Sequence, residues 1–219
     1  MSKKGRYRAI LFDLDGTLTD PEEGITRSFQ YALRHFGIEE QDPEKLRRVI
    51  GPPLLNSFIE YYGFSQIDAL LAIDYYREYF SKTGIYENRV YPGIPQMLQQ
   101  LKQAGKSIIL ATSKPHIYAR QILEHFSLDS YVDFVSGSEL DGTRNAKSEV
   151  IAYALQQTGF QVSETVMVGD RRHDVEGAIA NGMDVIAVLF GYGTREELAD
   201  AGATVFAQSP QQLTELILG

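Results

Sequence analysis

The sequence predicts an α/β protein whose parallel sheet carries helices on both faces and is interrupted near its start by a helical segment. Two observations predict this class. In the second half of the chain, short β-rich runs alternate with helical patterns, which is typical of βαβ units. In the first half, about ninety residues separate the strand YRAILFD from the next clear strand, KSIILAT, whereas a βαβ unit spans only ~30. The excess length indicates an insertion.

The first strand, YRAILFD, runs into the acidic stretch DLDGTLTD. Segments with apolar residues at helical spacing follow it, separated by glycine or proline: PEEGITRSFQYALRHFG, PEKLRRVIG, PLLNSFIEYYGF and SQIDALLAIDYYREYFSKTG. We therefore predict a helical subdomain over residues 17–88, closed by the turn signal Tyr91-Pro92-Gly93.

Strand and helix patterns then alternate to the end of the chain. In order, they are KSIILAT and PHIYARQILEHF, YVDFVSG and AKSEVIAYALQQTG, ETVMVGD and DVEGAIANG, DVIAVLFG and TREELADAG, and ATVFAQ and PQQLTELILG. Residues 1–16 and 89–219 are accordingly predicted to form one core domain that contains the sheet.

Charge, cysteine content and the length of the apolar runs limit the partners, the metal ligands and the cellular location that we expect. The chain has 219 residues and a formal net charge of −8, which disfavours a nucleic acid or an anionic membrane as partner. It has no cysteine, so disulfides and thiolate zinc sites are excluded. The apolar run near the N-terminus is too short for a signal peptide, and no stretch reaches the ~18 apolar residues of a membrane span. We expect a cytoplasmic protein.

Polar side chains lie at or just after the carboxyl ends of three predicted strands. These residues are Asp13, Thr112 and Asp170. The carboxyl ends of parallel strands share one edge of a sheet, where ligands bind, so we expect the three side chains to lie together. Two neighbouring carboxylates need a cation, and hard oxygen ligands favour magnesium over zinc. The sequence therefore predicts a Mg²⁺ site at this edge.

This set of residues suits the chemistry of a phosphate ester. An aspartate such as Asp13 is a competent nucleophile, but a cation and a lysine, here Lys147, must offset its repulsion of the phosphate. Thr112 and Ser113 offer hydroxyl and backbone N–H groups near a helix start, where anions bind. Asp15 lies beside like charge, which is expected to raise its pKa and make it a proton donor to the leaving oxygen.

Four motifs in this order, DLDGTLTD, ATSKP, Lys147 and GDRRHD, resemble those of the haloacid dehalogenase-like superfamily. The resemblance spans the whole chain. It implies a Rossmann-like core, with the inserted helices forming a cap that covers the site and selects the substrate.

The resemblance also implies a role for each matched residue. Asp13 would form an aspartyl-phosphate, and Asp15 would protonate the leaving group and later activate water. Thr112 would bind the phosphoryl group, with Ser113 beside it, and Lys147 would neutralise charge. Asp170 would ligate magnesium together with Asp13 and the main-chain carbonyl of Asp15, and Asp174 would support the metal directly or through water.

Within the superfamily, the sequence is similar to the phosphoglycolate phosphatase-like branch and to members described as 5′-nucleotidase-like. True dehalogenases lack an aspartate at the position of Asp15. We predict a magnesium-dependent phosphatase acting on a small phosphate monoester of the phosphoglycolate type. The alternatives are a 5′-nucleotidase, a phosphomutase and a non-catalytic binding or regulatory protein. The oligomeric state is left open.

Substrate choice is expected to depend on the cap. Its tyrosines at helical spacing are interpreted mainly as core rather than as a surface for stacking bases, and Arg47 and Arg48 are candidate anion ligands. Outside the cap, Arg171 and Arg172 are compatible with a surface role as much as with phosphate binding. The segment Gly191–Gly193 lacks the rest of a dinucleotide motif and is interpreted as a turn.

Overall fold

Six parallel strands form the main sheet of the computed structural model, which describes residues 5–219. In spatial order the strands are β5 (Phe134–Ser138), β4 (Ser107–Pro115), β1 (Ala9–Phe12), β6 (Thr165–Gly169), β7 (Asp184–Val188) and β8 (Phe206–Ala207). All neighbouring pairs are parallel. The predicted α/β class with a parallel sheet is confirmed.

The central strand β1 is apolar along its whole length because both of its faces are covered. All four of its residues are fully buried, as is typical of the inner strands of parallel sheets. Its last residue, Phe12, is level with Leu110 on β4 and with Val168 on β6. This register places Asp13, Thr112 and Asp170 within one residue of the same level along the strands.

Helices cover the sheet. They are α5 (Ile94–Gln103), α6 (His116–His125), α7 (Lys147–Thr158), α8 (Arg172–Ala180), α9 (Arg195–Asp200) and α10 (Pro210–Leu218). Helix α7 packs Val150 and Ile151 against strand residues such as Leu11, Ile109 and Met167. None of the helices in residues 5–219 has the length and apolar character that crossing a bilayer requires.

The chain divides into two compact units. One contains the residues up to Thr19 together with Val90–Gly219, and the other is Asp20–Arg89. The short strands β2 (Thr19–Asp20) and β3 (Arg89–Val90) pair with each other at the boundary. The predicted boundaries, residues 16/17 and 88/89, lie within three residues of this division, and the role of the second unit as a cap stays a prediction.

The second unit is helical. Its elements are α1 (Glu22–Arg34), α2 (Pro43–Arg47), α3 (Leu54–Tyr62), α4 (Gln66–Tyr79) and a π-helical segment (Phe80–Gly84). Aromatic rings build its core: Phe29 stacks on Phe58 with ring centroids 4.4 Å apart and meets Tyr76 edge-on at 5.4 Å. Tyr76 is buried as expected for a core residue, whereas Tyr61 is exposed.

Candidate active site

Three neighbouring strands bring polar residues to the carboxyl edge of the sheet: Asp13 directly follows β1, Asp170 directly follows β6, and Thr112 lies in the second half of β4. Asp13, Thr112 and Asp170 are all buried there. The backbone N–H of Asp13 donates to the carbonyl of Val168 at 2.9 Å, which extends the pairing of β1 with β6 by one residue. The sheet register therefore fixes where the Asp13 side chain begins.

A cluster of three buried carboxylates lies at this edge. Asp13, Asp170 and Asp174 each offer one oxygen, and these oxygens lie within 4.8 Å of one another. Gly169, at the end of β6, makes the cluster possible, because a Cβ there would overlap the Asp174 carboxylate. Burial, reinforced by the neighbouring carboxylates, raises the pKa of Asp170 well above its usual value. Burial also raises the pKa of Asp174 to about 6.

Lys147, the first residue of α7, joins two members of the cluster. Its Nζ lies 2.8 Å from an oxygen of Asp13 and 2.8 Å from an oxygen of Asp174, and it donates to the carbonyl of Ala111 at 3.1 Å. Burial alone would lower the pKa of this lysine, but the two carboxylates outweigh burial and raise it. Lys147 is therefore charged and offsets part of the negative charge of the site.

The cluster fits a divalent cation. The Oδ1 atoms of Asp13 and Asp174 are buried, and the one donor that approaches both is the Nζ of Lys147, at 2.8 Å from each. Three neighbouring buried carboxylates offer more acceptor oxygens and more negative charge than one lysine can balance, and an all-oxygen donor set favours a hard cation. Asp13, Asp170 and Asp174 are the side chains that would hold it.

Backbone and hydroxyl donors orient Asp170. Its Oδ1 accepts from the Thr17 hydroxyl at 3.1 Å, and its Oδ2 accepts from the backbone N–H of Tyr192 at 2.8 Å. A Cβ at Gly16 or Gly191 would overlap this carboxylate. The segment Gly191–Gly193, interpreted from the sequence only as a turn, is thus also a wall of the site. Its position at the end of the predicted strand DVIAVLFG was the signal available for this role.

The Asp15 side chain lies outside the cluster and pairs with Lys114. The Nζ of Lys114 is 2.9 Å from Oδ1 and 2.7 Å from Oδ2 of Asp15, and both side chains are nearly buried. The pKa of Asp15 is raised mainly by burial, with Lys114 opposing the shift and the charge of Asp13 adding less. The direction agrees with the expectation, whereas like charge, the expected main cause, is a minor one.

Lys114 belongs to the motif ATSKP but was not among the site residues predicted from the sequence. Thr112 and Lys114 are two residues apart near the end of a strand, and side chains at this spacing point to the same face of a regular strand. The spacing was the available signal. The backbone N–H of Lys114 donates to the Thr112 hydroxyl at 3.2 Å, and the carbonyl of Ser113 accepts from the Ser138 hydroxyl at 2.8 Å. Phosphate binding by Ser113 stays a prediction.

The two arginines of GDRRHD have partners outside the cluster. The Nε of Arg171 donates to Glu197 at 3.0 Å, and the backbone N–H of Arg172 donates to the same carboxylate oxygen at 3.1 Å. The backbone N–H of Arg171 donates to Asp174 at 3.0 Å, so Asp174 caps the start of α8 as well as facing the cluster. The ion pair with Glu197 accounts for the Arg171 side chain without a phosphate.

The chain is similar to known proteins over most of its length. The sequence profile described as haloacid dehalogenase-like hydrolase matches residues 10–188. A 5′-nucleotidase from Pseudomonas aeruginosa is 50% identical over 193 residues, which are 88% of this chain and 87% of that protein.

Two other relatives have different names. The tyrosine-protein kinase PtkA from Mycobacterium tuberculosis is 38% identical over 208 residues, covering 94% of this chain and 70% of the relative. Phosphoglycolate phosphatase 1 from Pseudomonas aeruginosa is 26% identical over 213 residues, covering 94% and 78%. Among solved structures, a predicted phosphatase from Clostridium acetobutylicum superimposes with a TM-score of 0.95 at 47% identity, covering 97% of this chain and 98% of that chain.

Proposed function

The chain belongs to the haloacid dehalogenase-like hydrolase family, and from this membership we propose that it is a magnesium-dependent phosphatase that forms an aspartyl-phosphate on Asp13. Its similarity to phosphatases supports its assignment as a hydrolase that acts on phosphoric monoesters. The observation that carries the mechanism is the separation of two buried aspartates. Asp13 belongs to the cation cluster with Lys147, whereas Asp15 pairs with Lys114.

In the first half of the proposed reaction, a carboxylate oxygen of Asp13 attacks phosphorus. The bond from phosphorus to the ester oxygen breaks, and Asp15 gives its proton to that oxygen, so that the alcohol leaves neutral. Lys147 offsets the charge of the nucleophile and of the phosphoryl group. The Thr112 hydroxyl, buried at the same edge, supplies a hydrogen bond to a phosphoryl oxygen.

In the second half, Asp15 acts as a base. It removes a proton from a water molecule, whose oxygen attacks phosphorus while the bond from phosphorus to Asp13 breaks. Inorganic phosphate leaves, Asp13 is again a carboxylate, and Asp15 is again protonated. The same side chain thus acts as the acid in the first half of the reaction and as the base in the second half.

The cation would be held by Asp13, Asp170 and Asp174 and would supply positive charge to polarise a phosphoryl oxygen. We propose Mg²⁺ because the donors are carboxylate oxygens. The role of the chain is to hold these donors in place: Thr17 and the backbone of Tyr192 fix the orientation of Asp170.

The experiment measures free phosphate released from an aryl phosphate by the purified protein in a magnesium buffer. We expect release without any bisphosphate or second nucleotide, loss of release on chelation, and recovery with added Mg²⁺. Asp13→Asn, which is nearly isosteric, should retain the melting temperature but lose at least about a thousandfold in kcat. Undiminished phosphate release after exhaustive chelation would overturn the proposed metal requirement. Substantial activity of Asp13→Asn would overturn the proposed role of Asp13 as nucleophile.

For the substrate we propose a nucleoside 5′-monophosphate, ahead of the phosphoglycolate type that the sequence analysis favoured. The relative named 5′-nucleotidase is 50% identical, whereas the relative named phosphoglycolate phosphatase 1 is 26% identical. One arginine considered as a ligand for a substrate carboxylate, Arg47, already donates to Glu22 at 2.7 Å. This ion pair weakens the case for phosphoglycolate.

The substrate proposal is tested by comparing kcat/KM for adenosine 5′-monophosphate and 2-phosphoglycolate in one magnesium buffer. We expect the nucleotide to be preferred by at least tenfold, about 1.4 kcal/mol of transition-state binding. A preference of that size for 2-phosphoglycolate would contradict the choice while leaving the phosphatase mechanism intact.

A further inference from the structure

We infer that Lys114 is a positioning residue for acid–base chemistry: its ammonium group holds the Asp15 carboxylate in the orientation that proton transfer to the leaving oxygen requires. This inference rests on the proposed function of Asp15. Lys114 is not among the side chains that the family resemblance assigned to the reaction, and it differs from Lys147 in its partners.

Lys114 and Asp15 form a close ion pair. Lys114 Nζ lies 2.9 Å from Oδ1 and 2.7 Å from Oδ2 of Asp15, so it contacts both carboxylate oxygens. The exposed fractions of the two side chains are 7% and 11%, so water competes little for either group. A contact to both oxygens restricts rotation of the carboxylate as well as its position.

The backbone of Lys114 is itself held in place. Its backbone N–H donates to the Thr112 hydroxyl at 3.2 Å, and Pro115 follows it at the end of β4. The pairing of β4 with β5 is irregular between Ala111 and Pro115. Such irregularities redirect side chains at the ends of strands and are common beside active sites. Lys114 therefore lies where the backbone departs from a regular strand, and from there its side chain reaches Asp15.

The two lysines at this edge of the sheet have different partners. Lys147 lies between Asp13 and Asp174, which belong to the carboxylate cluster. Lys114 contacts Asp15, whose side chain lies outside that cluster. A general acid must come within hydrogen-bond reach of the atom it protonates, so a misplaced Asp15 costs most when the leaving group depends on protonation.

The variant Lys114→Met tests the inference because it removes the charge and keeps most of the side-chain volume. We expect kcat for an alkyl phosphate such as glycerol 2-phosphate to fall by about ten- to a hundredfold, and kcat for 2,4-dinitrophenyl phosphate to fall less than about threefold. Lys102→Met is the matched control. Lys102 forms an ion pair with Asp133, 2.6 Å away, and neither residue belongs to the catalytic set, so this variant should change neither rate. Lys114→Gln replaces Lys114→Met if the latter fails to fold.

A double-mutant cycle separates positioning from other roles. If Lys114 acts through Asp15, Lys114→Met should change the alkyl rate less than about twofold in an Asp15→Asn background. Equal losses in both backgrounds, or equal losses for both esters, would overturn the inference. An Asp15→Asn variant whose own loss is the same for both esters would instead overturn the acid–base role of Asp15 in the proposed function.

A crystal structure of Lys114→Met gives a readout that does not depend on activity. We expect the Asp15 carboxylate to occupy a second rotamer or to be spread over two. A carboxylate unchanged from the wild-type crystal structure would overturn the inference. If the wild-type protein releases no phosphate from either ester, the proposed function fails, and this structural comparison alone decides the positioning role.

Discussion

At the residue scale, three aspartates share a small buried volume, and their protonation therefore competes with cation binding. Burial raises the pKa of Asp174 to about 6 and that of Asp170 well above its usual value in the metal-free protein. As pH falls through about 6, Asp174 takes up a proton and loses its ability to bind a cation. We expect Mg²⁺ affinity, measured by calorimetry, to be about fourfold or more weaker at pH 5.5 than at pH 7.5.

The same shift has a consequence for stability. A carboxylate whose pKa is raised by folding stabilises the folded state below its ordinary pKa and loses that contribution as pH rises through the raised value. The metal-free protein therefore carries an electrostatic cost at pH 7.5 that binding of Mg²⁺ removes. The rise in melting temperature on adding Mg²⁺ should be larger at pH 7.5 than at pH 5.5, and an equal rise at both would contradict this account.

Gly191 provides a test of the wall beside Asp170. A Cβ at this position would overlap both the Asp170 carboxylate and the carbonyl of Gly16. We expect Gly191→Ala to displace the carboxylate and weaken Mg²⁺ binding by about tenfold or more, measured by calorimetry.

The control for this variant is Gly202→Ala. Gly202 has a φ of +107° and little room beside Ile179, so alanine there should lower the melting temperature. Because Gly202 has no part in the carboxylate cluster, Mg²⁺ affinity should stay unchanged. Affinity that falls equally in both variants would indicate a general loss of stability and would contradict a specific role for Gly191.

The sequence indicated some residues of the site and missed others for a physical reason. Asp13, Thr112 and Asp170 lie at or just after the ends of predicted strands, and parallel strands bring their carboxyl ends to one edge whatever the details of packing. Thr17 and the backbone of Tyr192 are donors to Asp170 only because a loop folds back across that edge. A loop path depends on tertiary contacts, which hydrophobic periodicity does not report.

At the element scale, α1 and the π-helical segment approach each other closely. A Cβ at Gly24 would overlap the carbonyl of Gly84, so only glycine fits at this crossing. We expect Gly24→Ala to lower the free energy of unfolding by about 1–3 kcal/mol in a denaturant titration, because the two elements must move apart. Glu23→Ala, at an exposed position of the same helix, should change it by less than about 0.5 kcal/mol; similar losses in both would contradict the close-approach argument.

The type of an element, helix or strand, was predictable where the hydrophobic period and the length of the segment indicated the same type. The first and last residues of the elements were less predictable. The inner strands appear as apolar runs because both faces are covered. The last strand, predicted over ATVFAQ, forms only at Phe206–Ala207, since an edge strand pairs on one side alone. Strand β4 continues to Pro115, beyond the predicted KSIILAT, and the π-helical segment after α4 has no signature in the helical pattern.

At the scale of the whole molecule, the class of the fold followed from the alternation of strands and helices and from the length of the insertion. Both are global features that survive errors at individual boundaries. The division into residues up to 19 with 90–219, and 20–89, reflects where the chain leaves the sheet and returns to it. Substrate choice does not follow from these features, because the residues at the carboxyl edge serve phosphoryl chemistry that is common to many esters.

The central claim is that Asp13 carries the phosphoryl group during turnover, and acid quenching tests it most directly. The protein is mixed with a ³²P-labelled monoester in magnesium buffer, quenched in acid within milliseconds and digested with trypsin. We predict that label appears transiently on the peptide of residues 9–27, which contains Asp13, and that it is absent from Asp13→Asn. Full phosphate release with no labelled protein at any time, or label on a peptide without Asp13, would contradict the account.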